Sequence, residues 1–124
     1  MTVRREPVGI QLGTLTPPQD VSRLAQLADT LGYNELWISE DSWFTGGISS
    51  ATAALAATTR IPVGLGIVSA MTRHPALLAQ EISTVAHMFP GQLWPGIGLG
   101  MPLWLRQMGI YPRSQLDAVR QCVP

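Results

Sequence analysis

Several residue types are scarce in this chain, and each shortage narrows the range of functions. Lysine is absent, the only cysteine is Cys122, and the two histidines, His74 and His87, stand apart from it in the sequence. A lone cysteine excludes an internal disulfide and a Cys-X-X-Cys pair, and two isolated histidines do not form a ligand motif. We therefore expect no metal site.

Charge is also scarce, and the two signs are balanced. Charged residues make up 13% of the chain, with eight basic residues, eight acidic residues and a formal net charge of zero. This balance offers no electrostatic basis for binding nucleic acid or an anionic membrane. Because no apolar run is long enough for a signal peptide or a membrane span, we expect a cytoplasmic protein without either partner.

The chain instead contains a regular alternation of short apolar runs and amphipathic stretches, and its hydrophobic content is 46%. Runs rich in β-branched residues predict strands, the first of them buried, and apolar residues at helical spacing predict helices between the strands. The predicted strands cover residues 8–13, 35–39, 62–68 and 92–99. The predicted helices cover residues 20–31, 49–58, 75–89 and 101–109, and a last helix begins near 114.

Residues with known terminal preferences mark the ends of the first three helices. Asp20 is placed to cap the first helix, and Gly32 is placed to end it. Either Ser49 or Ser50 opens the second helix, and Pro75 stands in the first turn of the third.

Strands that recur about every thirty residues with a helix between each pair are typical of βαβ crossovers in a parallel sheet. The fold class is therefore α/β. Two architectures use such units, a doubly wound open sheet and an eight-unit barrel of about 250 residues. A dinucleotide-binding open sheet favours GxGxxG after its first strand, but here Gly13 is followed by Thr-Leu-Thr-Pro-Pro.

Four segments together decide between these architectures. They are VGIQLG in the first strand, LWISED with SWFTGG after the second, VGLGIVSAMTRHPALLA around the third, and PGQLWPGIGLGMPLWLRQMG around the fourth. In this order they resemble the bacterial-luciferase-like family of flavin-dependent or coenzyme F-420-dependent oxidoreductases and monooxygenases. The resemblance implies a (β/α)8 TIM barrel, of which residues 1–124 are the N-terminal, incomplete part with about four βα units.

The end of the chain agrees with an incomplete barrel. Ser114, with Asp117 three residues later, is placed to cap a last helix that stops at Pro124. Because the chain ends inside this helix, we expect a truncated product, and four strands of an eight-stranded barrel leave open edges on the first and fourth strands. Such edges favour association, so a homodimer or a complementary barrel half is the expected protein partner.

The resemblance also implies a cofactor site at the carboxyl ends of the strands. Gly64, Gly66, Ile67, Ser69 and His74 correspond to positions around the ring of FMN or of the deazaflavin coenzyme F-420, and the sequence does not choose between the two. Family members carry a non-prolyl cis peptide at the position of Gly66–Ile67. As alternatives, the glycines allow close strand packing and His74 caps the third helix.

Two carboxylates follow the second strand, where barrels carry their chemistry. Glu40 and Asp41 are the catalytic candidates, either of which could orient the ring or a substrate proton. Asp41 stands near the place where some deazaflavin dehydrogenases of the family have a histidine. The alternative is a solvated loop start. Trp43 and Phe44 lie in the loop expected to roof the ring.

Two functions remain open at this point. As an enzyme, the protein is an oxidoreductase that carries out monooxygenation or hydride transfer on a small-molecule substrate, and it needs a completing partner. As a non-catalytic fragment or interaction module, it binds no flavin and associates through its open sheet edges.

Overall fold

The computed structural model describes residues 6–122 of the chain. Four strands alternate with helices, as the hydrophobic pattern predicts, and a short 3-10 turn at Pro18–Asp20 precedes the first helix. The strands are β1 (Gly9–Leu12), β2 (Glu35–Ile38), β3 (Val63–Ser69) and β4 (Leu93–Gly98). The helices are α1 (Val21–Leu31), α2 (Gly47–Ala57), α3 (Pro75–Met88), α4 (Pro102–Gln107) and α5 (Gln115–Cys122).

All four strands are parallel and pair in the order in which they occur in the chain. One row of paired residues crosses the whole sheet, from Gln11 through Trp37 and Gly64 to Trp94. Within the described residues, β1 and β4 are the two edge strands. The predicted α/β class with a parallel sheet is therefore confirmed, and so is the position of the open edges.

The two faces of the sheet have different surroundings. We call the face that carries Gln11, Trp37, Gly64 and Trp94 the open face, because Gln11 and Trp94 stay exposed there. Residues between these in the strands point the other way and pack against α1, α2 and α3. The buried core on this helical side consists of Val21, Ala25, Ala28, Leu36, Ile38, Ala51, Ala54, Leu55, Ile61, Val63, Leu65, Val68, Leu78 and Val85.

The first strand is less buried than its sequence predicts. Val8 and Gly9 are exposed, and Ile10 and Leu12 are only half-buried. Within residues 6–122, β1 has a neighbouring strand on one side alone, and only one of its faces is packed against helices. The prediction of a buried strand is therefore wrong for this segment, because apolar composition does not distinguish a central strand from an edge strand.

The second helix begins earlier than predicted. It starts at Gly47, not at Ser49 or Ser50. The backbone N–H of Gly47 donates to the Glu40 carboxylate with a distance of 2.7 Å between nitrogen and Oε2. A side chain seven residues upstream thus satisfies a free N–H group of the first turn, so no serine cap is needed.

Predictions for the other helix ends are mostly confirmed. Gly32 ends α1 in the left-handed conformation with a φ of 84°, Pro75 begins α3, and the Ser114 hydroxyl accepts the N–H of Asp117. Asp20 precedes α1 but makes no capping bond, so its predicted role is wrong. Pro124, at which the last helix is expected to stop, lies outside the described residues.

Within residues 6–122, no helix has both the length and the hydropathy needed to cross a membrane.

Candidate active site

A cavity lies at the carboxyl ends of β2, β3 and β4. Its volume is about 820 Å³, and its lining residues are 39–46 after β2, five residues between 66 and 73 around the end of β3, and seven residues between 99 and 108 after β4. Parallel strands bring their carboxyl ends to the same edge of a sheet, so loops that are far apart in the chain meet there. The predicted site residues Glu40, Asp41, Gly66, Ile67 and Ser69 all line this cavity.

Glu40 is held at the wall of the cavity by three hydrogen bonds from two residues. Arg73 Nη1 donates to its Oε1 at 2.6 Å and Arg73 Nη2 to its Oε2 at 2.9 Å, while the Gly47 N–H donates to Oε2 at 2.7 Å. The Glu40 side chain is 12% exposed. Such a paired, charge-assisted arrangement gives the carboxylate a fixed orientation. Glu40 therefore joins the end of β2 to the starts of α2 and α3.

Arg73 is the partner that sequence reasoning missed. Its Nε lies 3.4 Å from Glu81 Oε2, so all three of its side-chain nitrogens face carboxylates. The hydrogen bonds to Glu40 raise the pKa of Arg73 above its ordinary value, although burial acts in the opposite direction. The sequence signal that could reveal Arg73 is the Arg-His-Pro turn before α3, but this motif by itself indicates only a helix start at His74 and Pro75.

Asp41 differs from Glu40 although the two are adjacent. It is half-buried and lines the cavity, and its side chain has no hydrogen-bond partner among residues 6–122. Its backbone carbonyl accepts the N–H of Phe44 at 3.2 Å, which closes a turn in the loop after β2. Of the two carboxylates that line the cavity, Glu40 is therefore held by hydrogen bonds, and Asp41 is free of them within the described residues.

The floor of the cavity is formed by the end of β3. The peptide bond between Gly66 and Ile67 is cis, as the family resemblance implies, and the pairing of β3 with β4 shifts register between Leu65 and Val68. Ile67 is 39% exposed beside Gly66, which has no side chain. Buried Ser69 accepts the N–H of Met71 through its hydroxyl at 3.1 Å.

Two predicted cofactor residues lie outside the cavity lining. Gly64 sits on the open face beside Trp37, where a Cβ would overlap the indole ring, and the Trp37 and Trp94 ring centroids lie 6.3 Å apart. His74 is exposed, and its Nδ1 accepts the N–H of Ala76 at 3.2 Å. The structure thus gives Gly64 a packing role and His74 a helix-capping role.

Aromatic side chains from the loop after β2 and from helix α4 meet at the cavity. The Phe44 and Trp104 ring centroids are 6.5 Å apart, and Trp43 Nε1 donates to Gln107 Oε1 at 3.3 Å. Trp43 has a φ of 72° and is 68% exposed. The loop after β2 and helix α4 are therefore joined by an aromatic contact and a hydrogen bond, and both Trp43 and Phe44 line the cavity. Trp104 also lines the cavity, whereas Gln107 accepts the Trp43 hydrogen bond from outside the lining.

The dimensions and chemistry of the cavity suit a flat redox ring. Ligand cavities typically have volumes of about 300 to 1,000 Å³ and combine apolar walls with a few placed polar groups. Here Gly66 and Ile67 form a low floor, Phe44 and Trp104 form a roof, and Asp41 supplies a polar group. Within the described part of the chain, no three His, Cys, Asp or Glu side chains are grouped as metal ligands.

Sequence comparison connects the chain to known enzymes. Residues 2–123 match the family described as luciferase-like monooxygenase. A curated relative, the 4-hydroxyprotoasukamycin monooxygenase of Streptomyces nodosus subsp. asukaensis, is 38% identical over 98 residues. The matched region is 72% of this chain and 26% of the relative.

Two solved structures have the same arrangement of strands and helices. The coenzyme F-420-dependent tetrahydromethanopterin reductase from Methanopyrus kandleri superposes with a TM-score of 0.80 at 24% identity, over 94% of this chain and 38% of its own. The oxygenating constituent of 3,6-diketocamphane monooxygenase from Pseudomonas putida, solved in complex with FMN, has a TM-score of 0.85 at 22% identity. It is covered over 37% of its length, for 94% of this chain. These neighbours are TIM-barrel enzymes, which confirms the predicted fold family.

Proposed function

The chain belongs to the luciferase-like monooxygenase family, and we propose that it supplies the ring-binding part of an oxidoreductase that uses reduced FMN or reduced coenzyme F-420. The observation that carries this proposal is the cavity at the carboxyl ends of β2, β3 and β4, which has Gly66 and Ile67 as its floor and a free carboxylate at its wall. One of the two structural neighbours depends on coenzyme F-420, and the other was solved in complex with FMN.

Gly66, Ile67 and Ser69 are the residues of this chain proposed to hold the ring. Gly66 allows close approach because it has no side chain, and the exposed part of Ile67 offers an apolar surface to a ring face. When bound, the flavin or deazaflavin supplies the redox chemistry, either oxygen activation for monooxygenation or hydride transfer. Gly64 and His74 are proposed to act indirectly, through Trp37 and through the start of α3.

Asp41 is the proposed catalytic residue of this half of the site. A carboxylate without a competing partner can hold or accept a proton from a group bound in the cavity. Glu40 is proposed as a positioning residue, because its oxygens are already occupied by Arg73 and Gly47. The paired Glu40 orients the loop that carries Asp41 and leaves the proton transfer to its neighbour.

The open face and the two edge strands are proposed to pack against the complementary half of a barrel. The structural neighbours are matched over only 37% and 38% of their own lengths, so most of each neighbour has no counterpart in this chain. Trp94 on the open face is exposed, and β1 and β4 each have one unpaired edge in the described residues. Unpaired edges of this kind favour strand addition.

The proposed enzyme acts on a small molecule. Its single cysteine and its dependence on a reduced cofactor suit a reducing compartment, so we place it in the cytoplasm.

Titration of the full chain with FMN and, separately, with coenzyme F-420, followed by cofactor fluorescence, tests the ring site. We expect saturable binding of one cofactor, and we expect Ile67→Glu to weaken it at least about tenfold by placing a charge on the floor. Leu77→Glu is the matched control, because Leu77 is an exposed residue of α3 outside the cavity lining. Failure of both cofactors to saturate, or equal loss in both variants, contradicts the proposal.

Size-exclusion chromatography with light scattering, run on the same samples, tests the packing of the open face. Addition of a polypeptide that contains the last four βα units of a structural neighbour is expected to give a one-to-one complex. A stable closed dimer of the chain that excludes this polypeptide would instead show that a second copy occupies the face.

A further inference from the structure

The ionisable groups of the cavity determine which substrate charges it can accept. Among the described lining residues, only Glu40, Asp41 and Arg73 carry a formal charge near neutral pH. Two carboxylates against one guanidinium leave a formal charge of minus one. No histidine and no second arginine lines the cavity within residues 6–122.

The one cation of the cavity is not available to a ligand. Arg73 binds both oxygens of Glu40 through Nη1 and Nη2, and its Nε faces Glu81. A substrate carboxylate or phosphate would have to displace Glu40, which also accepts the N–H of Gly47. That exchange would leave the Glu40 carboxylate, which is only 12% exposed, without its hydrogen-bond partners. Such an unpaired, mostly buried charge is energetically costly.

The surface above the floor is apolar and aromatic. Phe44 and Met101 are both about half exposed, at 51% and 49%, and both line the cavity beside Trp104 and Met108. Exposed apolar groups that converge on one cavity are typical of a ligand-binding surface. Methionine and aromatic side chains adapt to ring-shaped ligands through dispersion contacts.

We propose that the substrate admitted to this cavity is an uncharged, apolar ring compound, and that the cavity discriminates against carboxylates and phosphates of similar shape. The proposal rests on the proposed function, because it names the substrate class of the same site. Unpaired Asp41 repels an anion, and engaged Arg73 does not offset this repulsion. Phe44, Met101, Trp104 and Met108 provide the apolar contact area.

Isothermal titration calorimetry of the full chain with two probes of the same ring tests this proposal. The probes are 2-acetylnaphthalene, which is uncharged, and 2-naphthoate, which is an anion at neutral pH. We expect saturable binding of the uncharged probe and at least about tenfold weaker binding of the anion. Asp41→Asn is expected to reduce this ratio severalfold by strengthening 2-naphthoate binding.

A matched pair of truncations assigns the contact surface. Trp104→Ala is expected to weaken 2-acetylnaphthalene binding about tenfold, whereas Leu103→Ala on the same helix leaves it unchanged, because Leu103 is 57% exposed outside the cavity lining. Equal or tighter binding of 2-naphthoate, or equal effects of the two truncations, would overturn the proposal. The same is true if neither probe saturates.

These titrations are run without cofactor, so they are read separately from cofactor binding. If the chain binds FMN or coenzyme F-420 but does not discriminate between the two probes, the proposed substrate class is contradicted and the proposed function is not. Probe discrimination without cofactor binding removes the proposed function and leaves an apolar ligand site.

Discussion

Arg73 and Glu40, which are 33 residues apart in the chain, form a two-pronged ion pair with nitrogen-to-oxygen distances of 2.6 and 2.9 Å. The pair joins the loop after β2 to the turn before α3. It thereby sets the shape of the cavity wall and leaves Asp41 as the free carboxylate.

Replacement of Glu40 tests the strength of this pair. Glu40→Gln keeps the shape and an acceptor for the Gly47 N–H but removes the charge, and we expect the free energy of unfolding to fall by about 1.5 to 3 kcal/mol. Glu81→Gln, which removes the 51% exposed partner of the same arginine, is expected to cost less than about 1 kcal/mol. Urea denaturation measures both variants. Equal midpoints for Glu40→Gln and the wild type would argue against a structural role for the pair.

Asp29 makes the stability of the folded protein depend on pH. Its Oδ2 accepts the N–H groups of Thr59 at 2.9 Å and of Arg60 at 3.2 Å, and Arg60 Nη2 lies 3.3 Å from its Oδ1. Burial alone would raise the pKa of Asp29, but these N–H groups, the Arg60 charge and the N–H of Ile61 together lower it. The stabilisation is therefore complete above the pKa of an aspartate in the unfolded chain and is lost as pH falls through the lower folded-state pKa.

Asp29→Asn is accordingly expected to be less stable than the wild type near neutral pH by about 1 to 3 kcal/mol, with a smaller difference in acid. Denaturation between about pH 7 and pH 2 measures this convergence. Asp117→Asn is the control, since the Asp117–Arg120 pair is exposed on both sides. A difference that stays constant over the whole range would contradict the assigned cause.

Gly64 tests the packing of the open face. A Cβ on this residue would overlap the Trp37 ring, so Gly64→Ala is expected to reduce the free energy of unfolding by about 1 to 3 kcal/mol. Gly13→Ala is the control, because a Cβ on Gly13 would meet no atom within 4 Å beyond its neighbours in the chain. In a Trp37→Phe background the cost of Gly64→Ala should shrink, because the overlapping ring atoms are gone. An unchanged cost in that background would show that the strain lies elsewhere.

Trp43 has a backbone conformation that side chains disfavour. Its φ of 72° predicts that Trp43→Gly is more stable than Trp43→Ala by about 1 kcal/mol, although alanine is usually the less costly replacement. Both variants lose the hydrogen bond to Gln107, so the comparison isolates the backbone. Thermal denaturation of the two variants measures the difference. A more stable alanine variant would mean that the loop relaxes away from the left-handed conformation.

Most of the fold could be predicted from local pattern. Strand positions, the parallel order and the helix ends at Gly32, Pro75 and Ser114 depend on residues near one another in the chain. The start of α2 could not be predicted in this way, because its first N–H group is satisfied by Glu40, which belongs to another element. The degree of burial of β1 could not be predicted from local pattern either, since an edge strand and a central strand can have the same composition.

The candidate site divides in a similar way. The convergence of Asp41, Gly66, Ile67 and Ser69 on one cavity could be predicted from the sequence motifs. The reason is that the carboxyl ends of parallel strands share an edge of the sheet. They did not reveal Arg73, whose role depends on a contact with the preceding βα unit.

By itself, the sequence determined the alternation of strands and helices and the family, because hydrophobic period and motif order are properties of the linear chain. Only the tertiary structure decided which of two adjacent carboxylates is free. Glu40 and Asp41 have the same charge and nearly the same position, and the difference between them arises from a guanidinium that folding brings from 33 residues away. Electrostatic pairing acts through space, so no local pattern could assign it.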